Sequence, residues 1–271
     1  MPTITRPDWA LAPTEQTIAG VIFGLAALAA LAYMIYVARA ERTMWPVYLF
    51  LGCGLGVFYE PINNVLGHCT YPEIGQFTWI STFGRDIPVY IGFVYFFYFS
   101  ASILWISRRI AAGITARQWW TYYAVFTVLV TCFEFVPIHR GWWLYYGDNQ
   151  ALRVLGFPMW WWVLNSFCLF VIATLFHHLR ARLLTRRTSV LLIPMVPMAL
   201  FAVHGAAAIP IFTALNSTDN RVITTLASLA SMLLALTGMW LAGKAAVGQR
   251  APVPLPAPAP APRAAAPIAG A

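Results

Sequence analysis

Two glutamates of this chain stand inside apolar runs, each close to other polar side chains. Glu60 lies in Phe-Tyr-Glu-Pro-Ile-Asn-Asn. Glu60, Asn63 and Asn64 therefore fall at i, i+3 and i+4 and share one helix face. Pro61 weakens the backbone ladder there and predicts a kink. Glu134 lies in Cys-Phe-Glu-Phe-Val-Pro, near the end of its run. An uncompensated carboxylate in hydrocarbon is costly, so each must be protonated, paired or hydrated. A carboxyl kept neutral by apolar surroundings can serve as a general acid, with a carboxylate or histidine as its base. Aromatic faces beside such a pair can stabilise a developing cation.

Other polar residues extend this set. Asp86 opens the next apolar run in Phe-Gly-Arg-Asp-Ile-Pro, where an acid is expected to cap a helix start. Arg85 beside it is placed to hold a carboxylate ionised. Asn165 falls midway along a later run, and His204 lies between Pro197 and Pro210. The candidate catalytic groups are Glu60, Glu134 and Asp86. The candidate substrate-binding groups are Asn63, Asn64, His68, Arg85, Tyr146, Trp161, Asn165 and His204. Taken singly, each also fits a plain cap or an interhelical hydrogen bond.

The five histidines are scattered, and the adjacent His177 and His178 point about 100° apart on a helix. No metal site is expected. No motif asks for a nucleotide, flavin or haem, so no cofactor is expected either. The four cysteines show no CxxC spacing, and no disulfide framework is predicted.

Hydrophobic residues make up 60% of the chain and charged ones 10%. A soluble domain carries roughly 25% charged residues. The fold class read from this is all-α: a polytopic membrane helical bundle of about seven transmembrane helices. The predicted spans run approximately 17–38, 44–66, 87–107, 118–138, 156–179, 188–214 and 221–243, each near the length a bilayer requires. Residues 1–16 form an extracytoplasmic leader and 17–245 the membrane domain. Residues 246–271 form a Pro/Ala-rich tail expected to be disordered and cytoplasmic. Ala38-Arg39-Ala40 has the pattern of a signal-cleavage site, but the leader has no positive start, so the first run reads as a retained helix.

The net charge is +8. The basic residues sit in short clusters between apolar runs and form no basic patch on a soluble face, which excludes nucleic acid as a partner. With the amino terminus outside, twelve Arg and Lys residues fall on the cytoplasmic side and five on the other. That bias predicts a multi-pass protein of the cell membrane with a cytoplasmic carboxyl terminus. Trp79, Trp142, Trp143, Tyr145, Tyr146 and Trp160 then lie near the outer boundary, where aromatic residues anchor membrane proteins. The acids, amides and His204 fall in the outer half, which predicts one polar pocket under an aromatic rim. Gly52 and Gly56 form a small-residue pair suited to close helix packing.

Four stretches carry a resemblance: Phe-Tyr-Glu-Pro-Ile-Asn-Asn-Val-Leu-Gly-His-Cys-Thr-Tyr-Pro, Phe-Gly-Arg-Asp-Ile-Pro, Tyr-Tyr-Gly, and Gly-Phe-Pro-Met-Trp-Trp-Trp-Val-Leu-Asn. Over about residues 44–215 the chain resembles actinobacterial membrane proteins grouped with the avermectin spiroketal cyclase. The resemblance implies dehydrative spiroketal formation from a dihydroxy ketone, without a cofactor. The architecture is also similar in kind to membrane terpene cyclases and carotenoid hydratases. The expected function is redox-neutral acid–base chemistry on a lipophilic polyketide or isoprenoid, with membrane lipids as the surrounding partners. The alternatives are a transporter or lipophilic-ligand-binding protein using the same buried acids, or a subunit of a larger membrane complex.

Overall fold

The computed structural model describes residues 4–183 and 188–249. Seven long apolar helices dominate it: α1 (Pro13–Ala40), α2 (Trp45–Gly67), α3 (Val89–Ala111), α4 (Ala116–His139), α5 (Met159–Leu179), α6 (Ser189–Ser217) and α7 (Arg221–Ala246). Each is long and apolar enough to cross a bilayer. The chain is an all-α bundle with the build of a multi-pass membrane protein. The Pro/Ala-rich tail beyond Gln249 lies outside the described residues, as do Arg186 and Arg187.

Helix α5 sits centrally and packs on α3, α4, α6 and α7. Trp160, Leu164, Phe170 and Ile172 are among its fully buried residues. Helix α2 packs on α1, α3 and α6. A methyl group at Gly52 would stand 2.6 Å from the Leu192 carbonyl oxygen, and one at Gly56 would stand 2.6 Å from Leu200 Cδ1. The glycine pair thus lets α2 and α6 approach closely. Leucines such as Leu25, Leu28, Leu226 and Leu233 are exposed on α1 and α7. Within the spans that surface meets acyl chains.

Two helices depart from α geometry. Residues Gly56–Tyr59 of α2 form a 3-10 turn, and α-helix resumes at Glu60 with Pro61 in its first turn, where the missing N–H is harmless. Residues Tyr95–Phe99 of α3 form a π-turn. Such irregular turns re-aim side chains and recur at functional sites.

The loops on the leader side form three short antiparallel pairs. Strand β1 (Cys69–Thr70) pairs with β4 (Leu144–Tyr145), β2 (Thr78–Thr82) with β3 (Arg85–Pro88), and β5 (Arg153–Val154) with β6 (Phe157–Pro158). The β2–β3 turn is Phe83-Gly84, with φ of 52° and 64°. Two successive left-handed residues make the type I′ turn that matches strand twist. This hairpin corrects the expectation for Asp86. It lies in β3 and caps nothing; α3 begins at Val89 with Pro88 as its extended cap. Pro88 biases the residue before it towards extended backbone, and β-branched Thr78, Ile80 and Thr82 favour the partner strand.

The leader lies across these loops. Leu11 donates its N–H to Ile74 O at 2.9 Å, and Trp9 Nε1 donates to Gly141 O at 2.9 Å. Arg6 pairs with Glu73. Arg140 forks onto Glu15 at 2.7 and 2.5 Å. This roof overturns the anchoring role expected for most of the outer aromatic residues. Trp142, Trp143 and Trp160 are 2%, 4% and 0% exposed, while Trp79 is 40% exposed. The folded loops offer the rings a protein interior and partners for their N–H groups, so they turn inward.

Candidate functional site

A cavity of about 90 Å³ lies beneath the β1–β4 pair, walled by α2 to α6. Glu60, Asn63, Glu134, Trp161, Asn165 and His204 line it. Six predicted site residues from four helices therefore meet in one space. A water needs roughly 10–15 Å³ of such space. The cavity has room for several waters or one compact polar group.

Glu60 enters directly after the 3-10 turn. Tyr71 donates its hydroxyl to Oε1 and Tyr95 donates to Oε2, both at 2.5 Å. Tyr95 is the first residue of the π-turn in α3. Tyr71 follows β1, and burial together with the neighbouring Glu60 pushes its phenol well above the usual range. It therefore keeps its proton and stays a donor.

Glu134 is held differently. Trp143 Nε1 donates to Oε2 at 2.7 Å, and the Tyr145 hydroxyl reaches the same oxygen at 3.3 Å. Oε1 accepts no hydrogen bond from the described residues. Burial and then Glu134 raise the Tyr145 phenol well above its usual range, so it too remains a donor. Among the described residues no cation forms a salt bridge with either glutamate.

On the far wall the Tyr59 hydroxyl meets His204 Nδ1 at 3.2 Å, and the Trp161 ring lies 5.2 Å from the His204 ring. Among the described residues, three buried polar atoms around the cavity have no partner: Asn63 Oδ1, Trp161 Nε1 and His204 Nε2. Leaving a buried donor or acceptor unmade costs about 1–3 kcal/mol. Atoms so placed call for water or a ligand in the space they face. Among the described residues no three His, Cys, Asp or Glu side chains gather as a metal-ligand set.

The other predicted site residues lie elsewhere. Asn64 is fully buried, and its amide has no partner among the described residues. Asp86 stays in the hairpin, where its carbonyl accepts from Gln76 Nε2 at 3.5 Å. His68 closes α2 in the left-handed region, with φ of 52°, and its ring stacks on Tyr146 at 5.3 Å. Arg85 Nη2 donates to the Tyr146 hydroxyl at 2.7 Å. Arg85 thus holds a phenol and not the carboxylate expected for it. Asp86 and Arg85 both lie in strand β3 and neither lines the cavity.

The donors that hold the two glutamates, Tyr71, Tyr95, Trp143 and Tyr145, were not singled out in the sequence as site residues. One signal was readable: Trp143 and Tyr145 are two residues apart, the spacing that puts side chains on one face of an extended segment.

No protein-family model, curated protein or solved structure matches this chain.

Proposed function

We propose that this protein is a membrane enzyme performing cofactor-independent acid–base chemistry, of the dehydrative cyclisation type, on a lipophilic polyketide or isoprenoid. One observation carries the reading. Two span glutamates line one aromatic cavity, held by neutral donors and by no cation among the described residues.

Their hydrogen bonding suggests a division of labour. An ionised carboxylate only accepts, whereas a protonated one also donates. Both Glu60 oxygens accept from phenols, which suits the ionised form and the role of base. Glu134 Oε1 is open to the cavity and can carry the proton of the acid. In a ketone bearing two hydroxyls, one hydroxyl adds to the carbonyl to give a hemiketal. Glu134 then protonates the hemiketal hydroxyl, which departs as water. The second hydroxyl attacks the resulting oxocarbenium ion and loses its proton to Glu60. The product is the substrate minus one water, and a proton passing from Glu60 to Glu134 resets the pair. Tyr95, Trp143 and Trp161 offer ring faces to the cation. Likeness to the spiroketal cyclase group belongs to this proposal.

The same reading places the leader side outside the cytoplasm, on the distribution of Arg and Lys. A thiol-reactive, membrane-impermeant reagent should label Asp219→Cys on intact cells; protection there would reverse the orientation.

Deleting the gene and profiling lipids and metabolites should reveal a precursor heavier than the lost product by one water. In purified protein, Glu60→Gln and Glu134→Gln should each abolish conversion of that precursor while the protein stays folded in the membrane. Near-normal conversion by both variants would end the proposal. Movement of the compound across proteoliposomes without a change in mass would replace it with transport.

A further inference from the structure

The cavity is too small for a whole polyketide or isoprenoid, so most of any such ligand must lie elsewhere. Tyr59 separates it from a second space. This is a crevice of about 410 Å³ lined by Phe58, Tyr59, Pro197, Met198 and Phe201, between α2 and α6. Phe58, Met198 and Phe201 are 58%, 69% and 47% exposed, and all three lie within spans. The crevice therefore opens towards acyl chains.

Among the described residues Tyr59 lines both spaces. The Tyr59 ring packs edge-on against Phe201 at 4.8 Å, and its hydroxyl reaches His204. The backbone departs from regular α-helical hydrogen bonding on both sides of it. Tyr59 ends the 3-10 turn of α2, and Pro197 removes one backbone donor inside α6. Beside Tyr59 on the cavity side stand His204 Nε2 and Asn63 Oδ1, without a partner among the described residues and on residues only 4% and 5% exposed. Neutral histidine offers a donor on one ring nitrogen and an acceptor on the other. When His204 Nε2 carries the proton, one hydroxyl can accept from it and donate its own proton to the Asn63 amide oxygen.

We propose that the α2–α6 crevice is a lateral portal that binds the apolar chain of a membrane-borne alcohol, whose hydroxyl sits on His204 and Asn63 once Tyr59 swings aside. The inference rests on the reading above for what happens to that alcohol afterwards. Binding itself needs no turnover.

The test uses the full chain in phosphatidylcholine nanodiscs and a hexadecanol carrying a mid-chain diazirine. Photolysis should place adducts on Phe58, Met198 or Phe201, and excess hexadecanol should suppress them. Met198→Trp, which fills the crevice, and His204→Phe, which removes the polar anchor, should each weaken the competed labelling about tenfold, a loss of ~1.4 kcal/mol in binding. Met198→Phe serves if the tryptophan variant unfolds. Crevice adducts that resist competition would mean bulk lipid only and overturn the proposal. So would competed adducts confined to the roof loops, or competed labelling unchanged in the variants. Turnover plays no part in this readout. Glutamate variants that stayed active would sink the acid–base reading and leave the portal standing.

Discussion

Tyr95 of α3 donates its hydroxyl to Oε2 of Glu60 in α2 at 2.5 Å, joining two spans through a buried carboxyl. Tyr71 donates to the other oxygen at the same distance. Tyr95→Phe should cost about 1–3 kcal/mol of stability, because it leaves an acceptor buried without its donor. Tyr71→Phe should behave alike. The double variant should depart from additivity by roughly 0.5 kcal/mol or more, since both phenols serve one group. Denaturation in detergent measures all three, and strict additivity would show that the phenols act independently.

Gly52→Ala tests the contact between α2 and α6. The added methyl would stand 2.6 Å from a backbone oxygen of Leu192, which cannot rotate away. Overpacking of this kind costs about 1–3 kcal/mol. Gly20→Ala in α1 is the control, because nothing lies within 4 Å of its added methyl. A thermal midpoint lowered for Gly52→Ala and held for Gly20→Ala is the expected result.

Phe83→Gly should stabilise the protein. Phe83 is 65% exposed, so it loses little packing, yet its φ is 52°. The left-handed conformation costs an ordinary residue about 1–2 kcal/mol that glycine escapes. A thermal midpoint at or below that of the parent would mean the ring makes contacts worth as much as the strain.

His68 should make stability depend on pH. Burial holds its imidazole below the ordinary 6.5, the hydrogen bond with Asn216 opposes this, and the Arg85 charge adds to it. The unfolded chain therefore takes up the proton first as pH falls. Its contribution is whole above about pH 6.5 and is lost below that, towards the folded value. Denaturation midpoints should drop between about pH 7 and pH 5, and His68→Asn should flatten that slope. Asparagine tolerates the left-handed backbone at this position. An unchanged slope would assign the acid sensitivity to other groups.

The seven spans were legible because hydrocarbon demands about 20 apolar residues per crossing, and nothing else in the chain mimics that. Glu60 and Asn63 could be placed on one face because helical spacing is local. Their meeting with Glu134, Asn165 and His204 could be anticipated from depth alone, since all five were read into the same half of the bilayer. Tyr95 was hidden for a physical reason. Its direction depends on a π-turn, which shifts the register by a fraction of a turn and leaves no mark in the hydropathy pattern. Asp86 was misread because the rule that an acid precedes a helix outweighed a hairpin signal in Thr78-Trp-Ile-Ser-Thr82 and Phe83-Gly84.

The roof also fixes an order of assembly. Trp9 and Gly141 are 132 positions apart, and Glu15 and Arg140 are 125 apart. Four spans must be synthesised before either bond has both partners. The first helix must therefore wait beside an incomplete bundle, with its leader unattached. The compartment around Glu60 and Glu134 is covered only after the α4–α5 loop arrives, which makes closure a late step of biogenesis.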